Sequence, residues 1–259
     1  MDLAFKHAFM NHWERFFGLS EPPVTFYRTP DIHAAERIKE GGNHHCLICE
    51  LAGVRKGKSI LFGKDDLRCS GSRRYTGYTT QMKENFSYFL SHGIAGSMEG
   101  ERYIKTPEMV DQLVAGMDQI NSTGLYYVFK RWDNLTEKDN PEVVIFFANP
   151  EVLSGLFTLA CYDHPGPANA VISPFASGCA SIIHFPLIEQ QSETPRAVTG
   201  MFDPSARHCV DLNTITFAVP MKKFTTMVNN MTESFLITRI WENMKRRIQL
   251  SNNRSTDEL

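Results

Sequence analysis

The run Val143-Val144-Ile145-Phe146-Phe147 constrains this chain more than any other stretch. An apolar run without alternation suits a strand buried on both faces, and a sheet with two buried faces needs helices on each side. Asn149-Pro150-Glu151 follows directly and reads as a helix start, with a capping side chain, proline at the first helical position and an acidic residue in the first turn. That helix is expected to reach about Cys161. Other strand-like runs are Val24-Thr25-Phe26-Tyr27 after the Pro22-Pro23 breaker, Ser59-Ile60-Leu61-Phe62, Tyr126-Tyr127-Val128-Phe129, Ala170-Val171-Ile172, Ala197-Val198-Thr199-Gly200-Met201 and Ile215-Thr216-Phe217-Ala218-Val219.

Helical spacing appears over residues 2–18, where Leu3, Phe5, Phe9, Trp13, Phe16 and Phe17 share a wide apolar face that Gly18 is placed to end. A Gly41-Gly42-Asn43 turn precedes a helix predicted over 45–54, which would carry Cys46 and Cys49 on neighbouring turns. Thr106-Pro107-Glu108 opens a helix expected to run to about Ile120, and helices over about 221–229 and 232–249 close the chain. Gly93, Gly96 and Gly100 mark a flexible connection. Strands and helices mix without strict βαβ alternation, so the expected fold is α+β (mixed α/β), a mixed sheet flanked by helices. No linker-like stretch divides residues 1–259, which are expected to form a single compact domain.

A formal net charge of −2 gives no general attraction to nucleic acid or to an anionic membrane. Short basic clusters such as Lys245-Arg246-Arg247 read as solvated faces. The opening residues lack the basic region and long apolar run of a secretory signal, and no apolar run is long enough to span a membrane. The expected location is the cytoplasm, where thiols more often bind metal or do redox work than form structural disulfides.

The chemically specific residues are cysteines. Cys46 and Cys49 form a Cys-x2-Cys pair, Cys69 follows in Arg-Cys-Ser-Gly, and Cys179 stands in Ser-Gly-Cys-Ala. Thiolates are preferred ligands of zinc and of iron–sulfur clusters, and these four residues are the candidate metal ligands. Gly71 and Gly178 beside them permit close backbone approach. The bland reading is that free cysteines behave as small buried hydrophobes, as suits Cys161 on an apolar helix; Cys209, beside His208, fits either. The separation of Cys69 from Cys179 argues against a zinc ribbon, which needs a second close pair. His44, His45 and His184 read as polar-cap or half-buried side chains. In Asp203-Pro204-Ser205-Ala206-Arg207, Asp203 and Arg207 are candidates for holding a small anionic ligand, as is Arg73 soon after Cys69; the alternative is an ordinary capped turn with an outward Arg207. The glycines over 93–100 match neither a Walker nor a Rossmann pattern.

Several motifs together point to one family. They include Cys46, Cys69-Ser70-Gly71, Gly93-Ile94-Ala95-Gly96 with Glu99-Gly100-Glu101-Arg102-Tyr103, Val144-Ile145-Phe146-Phe147-Ala148 with Leu153-Ser154-Gly155-Leu156, and Pro174-Phe175 with Gly178-Cys179. Gly200-Met201-Phe202-Asp203-Pro204-Ser205-Ala206-Arg207 and Thr216-Phe217-Ala218-Val219-Pro220 with Glu233-Ser234-Phe235-Leu236 complete the series. From about residue 8 to 248 the chain resembles the DUF169 family, cysteine-containing archaeal and bacterial proteins of unassigned function. The resemblance implies a prokaryotic cytoplasmic protein and places the family's cysteines on Cys46, Cys69 and Cys179. Ser70-Gly71 departs slightly from the usual Pro-Gly or Gly-Gly after the second of these. Three shared cysteines suit a [4Fe–4S] cluster with one open iron, which Cys49 would close in this chain.

The expected function is therefore a metal-binding protein, holding an iron–sulfur cluster in a redox or small-molecule-binding role, with a small anionic ligand or a redox partner. The alternatives are a structural zinc protein and a metal-free binding module with core thiols. No nucleophile–base pair, paired acid carboxylates or nucleotide loop marks an enzyme class.

Overall fold

A computed structural model describes residues 1–38 and 46–257, with side chains to residue 250. Among the described residues ten strands are formed: β1 (Val24–Thr29), β2 (Glu36–Arg37), β3 (Ile60–Phe62), β4 (Gly93–Ile94), β5 (Met98–Glu99), β6 (Tyr126–Arg131), β7 (Val143–Ala148), β8 (Val171–Ile172), β9 (Ala197–Gly200) and β10 (Ile215–Pro220). Eight of them build one sheet in the order β2-β3-β6-β1-β7-β10-β9-β8, and β4 pairs with β5 in a separate hairpin. The central pairs are antiparallel and the outermost pairs, β2–β3 and β8–β9, are parallel, so the sheet is mixed and the fold is α+β. The glycine-rich stretch expected as a flexible connection is this hairpin: Gly93 takes a positive φ of 78°, and a side chain there would run into the Met98 carbonyl.

Strand β7 explains its own sequence. Val143 and Ile145 join one core with Phe26, Phe129 and Phe62, whereas Val144, Phe146 and Ala148 join the other with Phe217 and Val219. Successive side chains of a strand point to opposite faces, so an uninterrupted apolar run is required where both faces are covered.

The helices are α1 (Leu3–Phe17), α2 (Leu47–Arg55), α3 (Ser70–Tyr75), α4 (Phe86–Leu90), α5 (Pro107–Ala115), α6 (Pro150–Cys161), α7 (Phe185–Gln190), α8 (Met221–Asn230) and α9 (Arg239–Asp257). Helices α1, α6, α8 and α9 cover one sheet face with an aromatic layer in which Phe9 meets Trp13, Trp132 and Phe224. Trp241 Nε1 donates to the Phe16 carbonyl at 2.8 Å, tying α9 to α1. Asp2 caps α1 and Gly18 ends it with φ 64°, as its sequence predicts. Helix α5 is shorter than expected, stopping before Gly116 rather than near Ile120. The Asn149 cap is observed: its Oδ1 accepts from Val152 N at 2.9 Å. Asn149→Ala is expected to lower stability by about 1 kcal/mol, read as a shift of the denaturant midpoint; an unmoved midpoint would assign the start of α6 to packing alone.

The second face carries α2, α3 and a helical run over 178–190 that the sequence does not announce. Its middle is a π-helical turn, Ala180–His184, continuing into α7. Among the described residues, no helix is long and apolar enough to cross a membrane.

Candidate metal centre

Three of the predicted ligands sit at the starts of the three helical elements on this second face. Cys46 is the N-cap of α2 rather than part of it, a correction to the expected helix: φ −92° and ψ 121° are extended, and its carbonyl accepts from Cys49 N at 3.1 Å. Cys69 is the N-cap of α3, where a loop was expected, and its carbonyl accepts from Arg73 N at 3.1 Å. Cys179 lies in the first turn of the run over 178–190, just after Ser177, whose Oγ accepts from Ala180 N at 3.3 Å. These are positions where exposed amides and the helix dipole favour negative charge.

The three thiols share one region, although among the described residues the donors within 4.8 Å of one another are Cys46, Cys49 and Cys209, without Cys69 or Cys179. Cys179 is buried and its Sγ lies 3.5 Å from Ser72 Oγ on α3. Burial above all pushes its thiol pKa far up; the Ser72 hydroxyl works against this, and negative charge on Cys46, Cys69 and Asp203 adds to the rise. Both predicted partners are thus within electrostatic reach of Cys179. A buried thiol flanked by two more is a poor anion by itself and a good one once a cation arrives, since a metal ion deprotonates its thiol ligands. Donor set and charge requirement fit a thiolate-bound metal or cluster. Gly178 allows the approach: a Cβ there would lie 3.2 Å from Ile48 on α2 and from Ala206.

Cys49 is placed differently. It forms a disulfide with Cys209, 160 residues away, at a Cα separation of 4.7 Å that suits the bond. This departs from the expectation of free thiols, and Cys49 can ligate a metal only after reduction. Cys46 lies beside the disulfide, with its Sγ and those of Cys49 and Cys209 all within 4.8 Å of one another. His208 Nε2 stands 3.5 Å from Cys209 Sγ and 3.9 Å from Cys49 Sγ. Five of the six cysteines therefore belong to one region. Cys161 remains apart on α6. The sequence signal for the additions was the His208-Cys209 dipeptide, which on its own cannot name its partner.

The proposed anion holders have other partners. Asp203 caps the 3-10 turn Pro204–Cys209, its Oδ1 accepting from Ser205 N at 2.9 Å and from Ser205 Oγ at 2.7 Å. Arg207 donates to the carbonyls of Thr214, Leu212, Asp211 and Met201, so it clamps the loop that carries His208 and Cys209. Arg73 Nε donates to the Leu67 carbonyl. Arg74, which follows Arg73 on α3, is buried, and its Nε has no hydrogen-bond partner among the described residues. His184 is fully buried, not half-buried, and neither ring nitrogen is hydrogen-bonded. His44 and His45 lie outside the described residues.

No curated protein and no solved structure matches this chain. The profile of one family, described as "Uncharacterised ArCR", matches residues 14–230, spanning α1 to α8 and every candidate cysteine. With that match laid over the motif series, the chain belongs to the DUF169 family.

Proposed function

We propose that this protein is a cytoplasmic metal-binding protein that holds an iron–sulfur cluster, [4Fe–4S] by preference, on Cys46, Cys69 and Cys179. The observation that carries the reading is the placement of these three cysteines at three separate helix starts on one sheet face, with Cys46 and Cys69 within electrostatic reach of the buried Cys179. An iron–sulfur cluster supplies one-electron transfer or, with an iron left open, a Lewis acid. Ser72 is placed to donate to the Cys179 sulfur, and hydrogen bonds to ligand sulfurs raise reduction potential. Arg74, buried on the helix that Cys69 caps and without a carboxylate partner among the described residues, would add positive charge on that helix. These features suit a redox role or the binding of a small anion beside the cluster.

Anaerobic purification with iron, acid-labile sulfide and zinc analysis tests the reading. Brown protein with absorption near about 400 nm, lost in Cys69→Ser and in Cys179→Ser while circular dichroism shows both folded, is the expected outcome. Colourless, iron-free protein after anaerobic reconstitution would overturn it.

A further inference from the structure

Cys46, Cys49 and Cys209 form a compact thiol group that includes neither Cys69 nor Cys179, with His208 set against its Cys49 and Cys209 sulfurs. A zinc–thiolate bond of about 2.3 Å and a zinc–imidazole bond of about 2.0–2.1 Å place tetrahedral ligands about 3.8 Å apart between sulfurs and about 3.6 Å between sulfur and nitrogen. His208 Nε2 already stands at 3.5 and 3.9 Å from the two disulfide sulfurs, and Cys46 Sγ is within 4.8 Å of both. The Cys49–Cys209 bond holds two of the donors too close together, and His208 lies outside the set of donors within 4.8 Å of one another, so opening the bond must also let the exposed His208 ring turn toward Cys46. We propose that reduction of this disulfide assembles a Cys3His site for one zinc-like divalent ion, and that its oxidation expels the ion.

The chemistry balances with an external dithiol. One dithiol thiolate attacks a sulfur of the Cys49–Cys209 bond, the other resolves the mixed disulfide, and the dithiol leaves oxidised while two protein thiols are formed. Metal binding then displaces the protons of Cys46, Cys49 and Cys209, with His208 neutral and coordinating through Nε2. In reverse, a small disulfide takes two electrons from the Cys49 and Cys209 thiolates, their S–S bond re-forms, and Cys46 with His208 alone cannot retain the ion. Access suits the exchange: His208 is exposed, and Cys46, Cys49 and Cys209 are each partly so. Two elements meet here, α2 with Cys46 at its start and Cys49 in its first turn, and the His208-Cys209 turn held by the Arg207 clamp.

The site does not rest on the cluster reading, although Cys46 is common to both. The test is cobalt titration of the metal-free full-length chain, with and without phosphine reductant, and without iron or sulfide. Reduced protein is expected to bind one Co2+ at this site with the visible bands of tetrahedral thiolate ligation, dependent on His208 and displaced by zinc, whereas unreduced protein shows no His208-dependent bands. His208→Ala, Cys49→Ser and Cys209→Ser should each weaken binding at least about tenfold, while Cys69→Ser and Cys179→Ser leave it unchanged. His208 is exposed, so its variant tests the site without threatening the fold. Absence of the cobalt bands after reduction, equal binding by oxidised chain, or loss in Cys69→Ser or Cys179→Ser with none in His208→Ala would overturn the proposal.

Discussion

Gly200→Ala is expected to destabilise this protein by about 3 kcal/mol, at the upper end of ordinary overpacking, and to displace Cys179 from the proposed metal centre. Gly200 ends β9, and a methyl group there would overlap both Cβ and Oγ of Ser181, with the Ser181 Cα 3.5 Å away. Ser181 cannot swing clear at no cost, because its Oγ donates to the Gly178 carbonyl at 2.9 Å and its Cα belongs to the π-helical turn. The added carbon must push the run over 178–190 off the sheet, and Cys179 stands two residues before Ser181. Chemical denaturation reads the stability loss, and cluster or iron content reads the displacement. Ser181→Gly in the same chain should restore much of both, since it removes the clashing atoms at about 1 kcal/mol of helix propensity. Native-like stability and metal content in Gly200→Ala alone would show that the helix is not seated as closely as the structure places it.

The unsuspected helix over 178–190 shows where the sequence stopped being legible. Ser177-Gly178 reads as a turn, Ile182-Ile183 are β-branched, and Pro186 argues against a helix interior. Pro186 is tolerated because the π-helical turn ends just before α7, leaving proline in an opening turn. Nothing local encodes that arrangement; burial of Ile182, Ile183 and Leu187 against the sheet stabilises it. By contrast, β7, the Asn149 cap and the face of α1 were legible because each depends on nearest neighbours and on a periodicity of two or of about 3.6 residues. Cys46, Cys69 and Cys179 could be picked out by residue type and by the family motifs. The Cys49–Cys209 partnership could not, since a link across 160 residues is a property of the assembled fold. The same holds for Arg207: a strand-end arginine looks like an anion holder until the loop carbonyls around it are known.

Acid should loosen this protein through His184, well above the pH at which carboxylates titrate. The ring is 1% exposed, with Tyr75 and Phe185 edge-on to it and no hydrogen bond to either nitrogen. Burial first, and the Arg74 guanidinium second, hold its pKa down at about 4, against 6.5 for a free imidazole, while the Asp118 backbone and carboxylate oppose both. The unfolded chain therefore takes up a proton between pH 6.5 and 4 that the folded chain refuses, so stability rises with pH across that window. The contribution is complete above pH 6.5 and is lost as pH falls through the window, a change of about 3 kcal/mol at 1.36 kcal/mol per unit. His184→Leu removes the titrating group and keeps the site apolar, so it should lose far less stability than the parent between pH 6.5 and 4. Arg74→Met should narrow the window from below by removing the neighbouring positive charge. Urea denaturation of the three chains at half-unit intervals of pH decides the matter. Parallel slopes for the parent and His184→Leu would mean that the imidazole finds a partner or water on protonation and that acid sensitivity arises elsewhere. Divergent slopes would identify the helix bearing Cys179 as an acid-labile wall of the metal centre.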